Sequence, residues 1–308
     1  AVAQALNGAD YCIHSGALSS VWGRWDDFYR ANVLGTQNVL SGCLKHGIRQ
    51  LVFVSSPSIY AAPREQLDIR EEDAPADNRL NHYIRSKILA ERSVRSGGVP
   101  SVIIRPRGLF GVGDTSIIPR LLARNRSTGI PLVNGGRHLT DLTCVENAAY
   151  ALRLALESEA AAGQTYNITN GEPQPFADLL AQFFQAAGQN MRTRAVSRRG
   201  LWLAANVLES AFRLLNIGKE PPLTRYTACL LTYGQTSIKH AASWATRRAS
   251  ASHKESNTMS ATAPLIESVR YFACGHCVNH LQRIFRHHPK QKRVFQAGVF
   301  LIKHRVHG

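Results

Sequence analysis

Three short apolar runs, ADYCIH (9–14), QLVFVSS (50–56) and SVIIRP (101–106), are separated by two stretches of helical periodicity, 26–47 and 81–98. Runs of that length bounded by turn residues read as strands. Strands that alternate with helices form a parallel sheet joined by crossover helices. The fold class is therefore α/β. The first helical stretch ends at Gly47 with basic residues in its last turn, an ordinary stop signal. Residues 136–158 then read as a short strand, a turn and a helix. Residues 164–188 repeat that arrangement, with Pro173 and Pro175 punctuating the turn.

Within the second helical stretch lies HYIRSK, residues 82–87. Positions i and i+4 share one helix face, so Tyr83 and Lys87 point the same way. An ammonium beside a phenol favours the phenolate and lowers a tyrosine pKa that is about 10 when unperturbed. A phenol tuned in this way exchanges a proton with a carbonyl or alcohol oxygen. Taken alone, the spacing describes a solvated helix face more often than an active site.

Other pieces join it in chain order. HSGA (14–17) ends the first strand, NVLGTQNVL (32–40) lies in the first helix, and VSSPSIYA (54–61) follows the second strand. The third strand ends in Arg105-Pro106, and DLTCVENAA (141–149) comes later. The ordered set resembles the extended short-chain dehydrogenase/reductase family from about Ala1 to Thr236. The resemblance implies a Rossmann-type sheet, with NAD or NADP as cofactor. It makes Tyr83 the general acid/base and gives Lys87 the nicotinamide ribose hydroxyls. Ser56 becomes the serine that holds the substrate oxygen, with Ser55 the alternative register, and Asn32 supports a proton relay behind the lysine. His14, Ser15, Gly16, Ala17, Ser55, Tyr83, Lys87, Arg105 and Pro106 are the cofactor contacts it implies.

Departures from the family pattern narrow the branch. Pro57 and Ser58 stand where sugar-nucleotide dehydratases place an acidic pair, and Gly108 stands where epimerases place an asparagine. RPRGLFG (105–111) followed by GVGDTSIIPRLL (111–122) resembles the 3β-hydroxysteroid dehydrogenase-like branch. Its members act on ring alcohols and β-keto lipids. The apolar stretch GLWLAANVLESAFRLL (200–215), interrupted by Glu209 and Arg213, suits a lid for a lipid-like substrate or plain domain packing. No run of 18 apolar residues predicts a membrane-spanning helix. The expected function is alcohol–ketone interconversion on a hydroxysteroid-like or β-keto lipid. A sugar-nucleotide epimerase and a non-catalytic fragment with a nucleic-acid-binding basic tail are the alternatives.

The expected organisation has three parts. A partial Rossmann domain spans 1–125, an interleaved substrate-binding region 126–238, and a basic tail 239–308. The chain has no G-x-x-G-x-x-G turn of the kind that cradles a dinucleotide pyrophosphate. It begins at the approach to the fourth strand of the usual order. The expectation is a sheet lacking its first strands, a bare edge at ADYCIH, and weak binding of the cofactor.

The tail holds twelve lysines and arginines against two acidic residues, within an overall net charge of +16. It lacks the family's ending. Lys254-Glu255 can be encoded as a ribosome-binding sequence three codons ahead of Met259. A frame slip into a neighbouring gene is the expectation this raises. CGHC (274–277), with His280, His287 and His288 nearby, supplies only one C-x-x-C, short of a zinc site, so no metal is expected. Four singly placed cysteines read as thiols of a cytoplasmic protein. The expected partner is a small lipid-like molecule rather than nucleic acid. A homodimer is the assembly the resemblance allows.

Overall fold

The apolar runs form a parallel sheet because their residues are buried on both faces. A computed structural model describes residues 2–111, 114, 117–237 and 299–302. Strands β1 (Tyr11–His14), β2 (Gln50–Val54), β3 (Ser101–Pro106) and β4 (Thr165–Ile168) pair in parallel in that order. On one face, Cys12, Leu51, Phe53 and Ile103 pack against Val39, Leu40 and Cys43 of α1 (Gly35–Lys45) and Ala90 and Val94 of α2 (His82–Ser96). On the other face, Ile13, Val52, Val102 and Ile104 meet Ala151, Ala155 and Leu156 of α3 (Val145–Glu157). Two covered faces explain why the strands lack polar alternation. Each fully buried aliphatic side chain contributes about 1.5–3 kcal/mol.

The edge of β1, expected to be bare, is paired. Val299–Ile302, β5, lies antiparallel to Tyr11–His14 and gives that edge a ladder partner. This corrects the expectation, because an unpaired row of backbone donors and acceptors is satisfied by any extended segment that reaches it. The proposed frame slip, Cys274, Cys277, His280, His287 and His288 lie outside the described residues.

The helix expected over 26–47 is three pieces: Trp25–Phe28, a π-helical turn Tyr29–Leu34, and α1. π turns inside α-helices are common at functional sites, and this one carries Asn32. A second sheet orders its strands Gln174–Pro175, Leu139–Thr140, Gln235–Ser237 and Gln66–Ile69. It therefore draws on segments far apart in sequence.

Next to it, α4 (Arg198–Leu214) and α5 (Arg225–Thr232) share a core of Leu201, Ala205 and Ala228. The acidic break in the apolar stretch has a purpose in this pairing. Glu209 is buried and accepts hydrogen bonds from Arg225 N at 2.6 Å and Nε at 2.9 Å. Among the described residues no helix is long and apolar enough to cross a membrane.

Candidate active site

The C-terminal end of β2 and the first turn of α2 meet at a cluster of hydroxyl groups. Asn81 starts α2, its Oδ1 accepting the Ile84 N–H at 2.8 Å. This cap fixes the helix frame one turn ahead of Lys87 and aims Tyr83 inward. The Tyr83 phenol is hydrogen-bonded to Ser56 and Ser19. Ser56 caps the 3-10 turn Pro57–Tyr60, and its Oγ lies 2.8 Å from Ser58 Oγ. Ser58 in turn is bonded to the Tyr226 phenol. Four hydroxyls thus run in series: Tyr83, Ser56, Ser58, Tyr226.

The electrostatics differ from the sequence expectation. Burial pushes the Tyr83 phenol above its ordinary value, and its bonds to Ser56 and Ser19 offset only part of that. The expected lowering by Lys87 is not found. Lys87 is 2% exposed and donates to Val54 O at 2.7 Å, with its ammonium 4.3 Å from the centre of the Phe53 ring. Burial lowers its own pKa to about 7, against a smaller opposing effect of Glu91. The groups that move the Tyr83 phenol are the burial around it and the hydroxyls of Ser56 and Ser19.

Asn32 is buried, not on an exposed helix face. Its Oδ1 accepts Leu18 N–H at 2.7 Å, and its Nδ2 donates to Leu18 O at 3.1 Å and Ser86 Oγ at 2.8 Å. It therefore ties the segment carrying Ser19 to the helix carrying Tyr83. His14, at the end of β1, places Nε2 3.0 Å from Thr36 Oγ1, and Thr36 Oγ1 donates to Asn32 O at 2.7 Å. Burial, then Lys87, lowers the His14 pKa to about 4, so the ring is neutral at pH 7. Ser15 and Gly16 are half-buried and Ala17 is exposed beside them.

The remaining sequence candidates sit elsewhere. Ser55 Oγ donates to Glu91 Oε1 at 2.5 Å, one residue from Ser56 but in a different cluster. Arg105 grips Glu91 with Nε at 2.8 Å and Nη2 at 2.6 Å, and donates from Nη1 to the Tyr60 hydroxyl and to Glu71 O. Tyr60 donates onward to Asn167 Oδ1 at 3.0 Å. Ser55 and Arg105 thus belong to a buried strut linking α2, β3 and β4. Pro106, also buried, pairs opposite Ile168 at the end of β3.

Sequence reasoning brought Tyr83, Ser56, Lys87, Asn32 and His14 into one region. It missed Ser19, Ser58 and Tyr226. Ser58 was readable only as a departure from a dehydratase pattern. Tyr226 lies 143 positions after Tyr83, on α5, and joins the site by packing against Ile59, Tyr60, Ile84 and Ile88, so no local spacing announces it. Among the described residues no group of His, Cys, Asp and Glu could hold a metal ion. A cavity of about 1030 Å³ opens beside the second sheet, lined in part by Val133, His138, Arg198 and Tyr233. Its lining contains neither Tyr83 nor Ser56, so the site rests on the convergence of hydroxyls.

A dinucleotide cofactor fits the nicotinamide side of this arrangement. The His14 ring is 4% exposed with Nδ1 lacking a hydrogen-bond partner, and it stands beside Lys87 at the strand ends where open α/β sheets take their ligands.

Residues 1–169 match the model of the NAD dependent epimerase/dehydratase family. A 2-alkyl-3-oxoalkanoate reductase of Stenotrophomonas maltophilia is 35% identical over 237 residues, 74% of this chain and 72% of the reductase. The human decarboxylating sterol-4-alpha-carboxylate 3-dehydrogenase is 34% identical over 191 residues, and the match spans half of that protein's length and 58% of this chain. Among solved structures, UDP-glucuronic acid 4-epimerase from Bacillus cereus with UDP-glucuronic acid and NAD superposes with a TM-score of 0.59 at 17% identity. That match covers 79% of this chain and 71% of the other. At that identity the likeness is one of fold.

Proposed function

The chain belongs to the NAD-dependent epimerase/dehydratase family, and on that premise we propose that it interconverts an alcohol and a ketone on a lipid-like 3-oxo or 3-hydroxy substrate. The observation that carries this reading is the hydrogen bond shared by Tyr83 and Ser56 one helical turn from Lys87. The names of the relatives, an oxoalkanoate reductase and a sterol dehydrogenase, support the substrate class.

Lys87, Tyr83 and the Ser15–Ala17 segment would hold the nicotinamide ribose. Held there, NAD or NADP would supply the hydride-transfer chemistry. The chain's own residues manage the oxygen. Ser56 donates to it, and Tyr83 passes it a proton during reduction or takes one during oxidation. Both donors are fixed before reaction by Ser19, Ser58 and the Asn32 clamp. They stabilise developing negative charge without reorganisation. Burial keeps the Tyr83 phenol protonated at neutral pH, which suits the reductive direction. Four cysteines free of disulfides, Cys12, Cys43, Cys144 and Cys229, fit a reducing compartment, which we take to be the cytoplasm.

The epimerase pattern usually has an asparagine where this chain has Gly108. Gly108 has φ +47°, and a Cβ built there would stand 2.6 Å from Leu142 Cδ2. A larger side chain therefore needs the backbone or Leu142 to move.

The test is a substrate panel on the natural full-length protein with NAD⁺ and NADP⁺. The panel holds a 2-alkyl-3-hydroxyalkanoic acid, a 3β-hydroxysteroid and UDP-glucose. Nicotinamide reduction by either of the first two, with UDP-glucose left unepimerised, is the expected result. Epimerisation of UDP-glucose alone would overturn the proposal.

A further inference from the structure

Helix α4 is apolar on two opposite faces, and only one of them is covered. Leu201 and Ala205 are buried in the pairing with α5, beside Ala228. On the far side Leu203, Val207 and Leu214 are 67%, 58% and 88% exposed, and Leu215, just past the last turn, is 68% exposed. Spacings of four and seven put the first three on one stripe. At 1.5 Å per residue the stripe is about 16 Å long. Single exposed leucines need no explanation, but a continuous stripe of them marks a surface that meets something apolar.

Cations flank the stripe. Arg198 and Arg199 are exposed in the first turn of α4, which holds no acidic residue. Arg199 lies one turn ahead of Leu203 on the same stripe. The positive end of the helix dipole disfavours both arginines there, so they do not serve the helix itself. An anion outside the protein would relieve them. The one acidic residue of α4, Glu209, is buried and holds Arg225. Past the far end of the helix, Lys219 is exposed as well. An apolar stripe edged by cations, with no exposed carboxylate on the helix, complements a layer that is apolar within and anionic at its surface. A membrane carrying acidic lipids is such a layer. A second copy of the same stripe would set cation against cation.

The end of the stripe touches the segment that reaches the active-site phenol. Trp22 Nε1 donates to Ile217 O at 3.2 Å, the Trp22 ring meets Phe212 edge-on at 6.5 Å, and the Arg213 guanidinium stands 5.6 Å from the ring centre. Ser19, which is bonded to Tyr83, comes three residues before Trp22. We propose that α4 docks in the headgroup layer of an anionic membrane, with Leu203, Val207, Leu214 and Leu215 at the acyl-chain boundary and Arg198 and Arg199 on lipid phosphates. The docking stands on the helix alone. That a lipid-like substrate then enters from the bilayer along the Ser19–Trp22 segment rests on the proposed alcohol–ketone reaction.

The experiment is co-sedimentation of the natural full-length protein with phosphatidylcholine vesicles containing about one-third phosphatidylglycerol, and with phosphatidylcholine alone. The protein should bind the anionic vesicles at least about tenfold more tightly, and less so in about 0.5 M salt. Leu203→Gln, Val207→Gln and Leu214→Gln combined should abolish pelleting. All three side chains are exposed, so Tm should not change. Arg198→Gln with Arg199→Gln should weaken anionic binding about tenfold or more. Unchanged binding in that variant overturns the headgroup contact. A wild-type protein that does not pellet overturns the docking, and one that instead self-associates through Leu203 assigns the face to a second copy. Equal pelleting of wild type and the triple variant also overturns it, and places the contact on another basic segment. Turnover is measured in parallel on a long-chain 3-hydroxy substrate in the vesicles and a short-chain one in solution. The triple variant should slow on the first only, and equal slowing on both overturns the entry route. Pelleting without turnover leaves the docking standing and removes the reaction. Turnover without pelleting does the reverse.

Discussion

The ammonium of Lys87 rests 2.7 Å from the carbonyl oxygen of Val54, the last residue of the strand that delivers Ser55 and Ser56. One bond therefore fixes the tyrosine helix against the serine strand. The same burial that makes the contact specific makes the charge costly.

Lys87 has a folded-state pKa of about 7 against 10.5 for an unburied lysine. Between those values the unfolded chain binds a proton that the folded chain has released. Stability therefore rises as pH rises from about 7 to 10.5, and below about 7 the full burden of the buried charge remains. His14, lowered from 6.5 to about 4, adds a similar rise between about pH 4 and 6.5. Lys87→Met should raise Tm at pH 7 and flatten the upper slope, with the lower one reduced but kept by the burial of His14. Urea unfolding across pH checks this, and an unchanged upper slope in Lys87→Met would count against the burial account. The residue is then kept for function at the expense of stability.

The strut predicts a different response. Glu91 and Arg105 are 5% and 1% exposed and paired through two hydrogen bonds. Arg105 holds the Glu91 carboxyl below its usual range despite burial. Glu91→Ala leaves a buried guanidinium without its partner and should cost about 3–5 kcal/mol. A loss under about 1 kcal/mol in denaturant unfolding would mean that water replaces the pair.

Asn32 acts through others. Asn32→Ala frees the Leu18 N–H and C=O together and should speed hydrogen exchange at the Leu18 amide. It should lower kcat while leaving substrate Kd within about twofold, as expected of a residue that positions Ser19 and Tyr83 without touching substrate. Asn32→Asp keeps the acceptor for Leu18 N–H, so exchange there should stay slow. Fast exchange in both variants would show that the clamp does not hold the segment.

The sheet was legible because its physics is local. Continuous apolar runs such as QLVFV can be buried only on both faces, and that dictates helices on either side. The site was half legible for the same reason. Tyr83 and Lys87 share a helix face by spacing, and Ser56 follows closely on a strand end. What lay beyond reach depends on long-range contact. Ser55 and Ser56 are neighbours in sequence, yet one bonds to Glu91 and the other joins the hydroxyl series, a split that only the packing of α2 decides. The direction of the Tyr83 shift also escaped, since spacing records the charge beside a group and not the water excluded around it.

The most direct test of the central claim compares Tyr83→Phe and Ser56→Ala with the wild-type full-length protein in nicotinamide-linked oxidation of a 2-alkyl-3-hydroxyalkanoic acid. Each variant should fold normally. Tyr83→Phe should lose about 10²–10⁴-fold in kcat, the range for a positioned general acid or base. Ser56→Ala should lose less, because the bond to Ser19 still holds the phenol. A Tyr83→Phe protein that keeps kcat within a few-fold of wild type would show that proton transfer runs through another group, and would remove Tyr83 from the centre of the site.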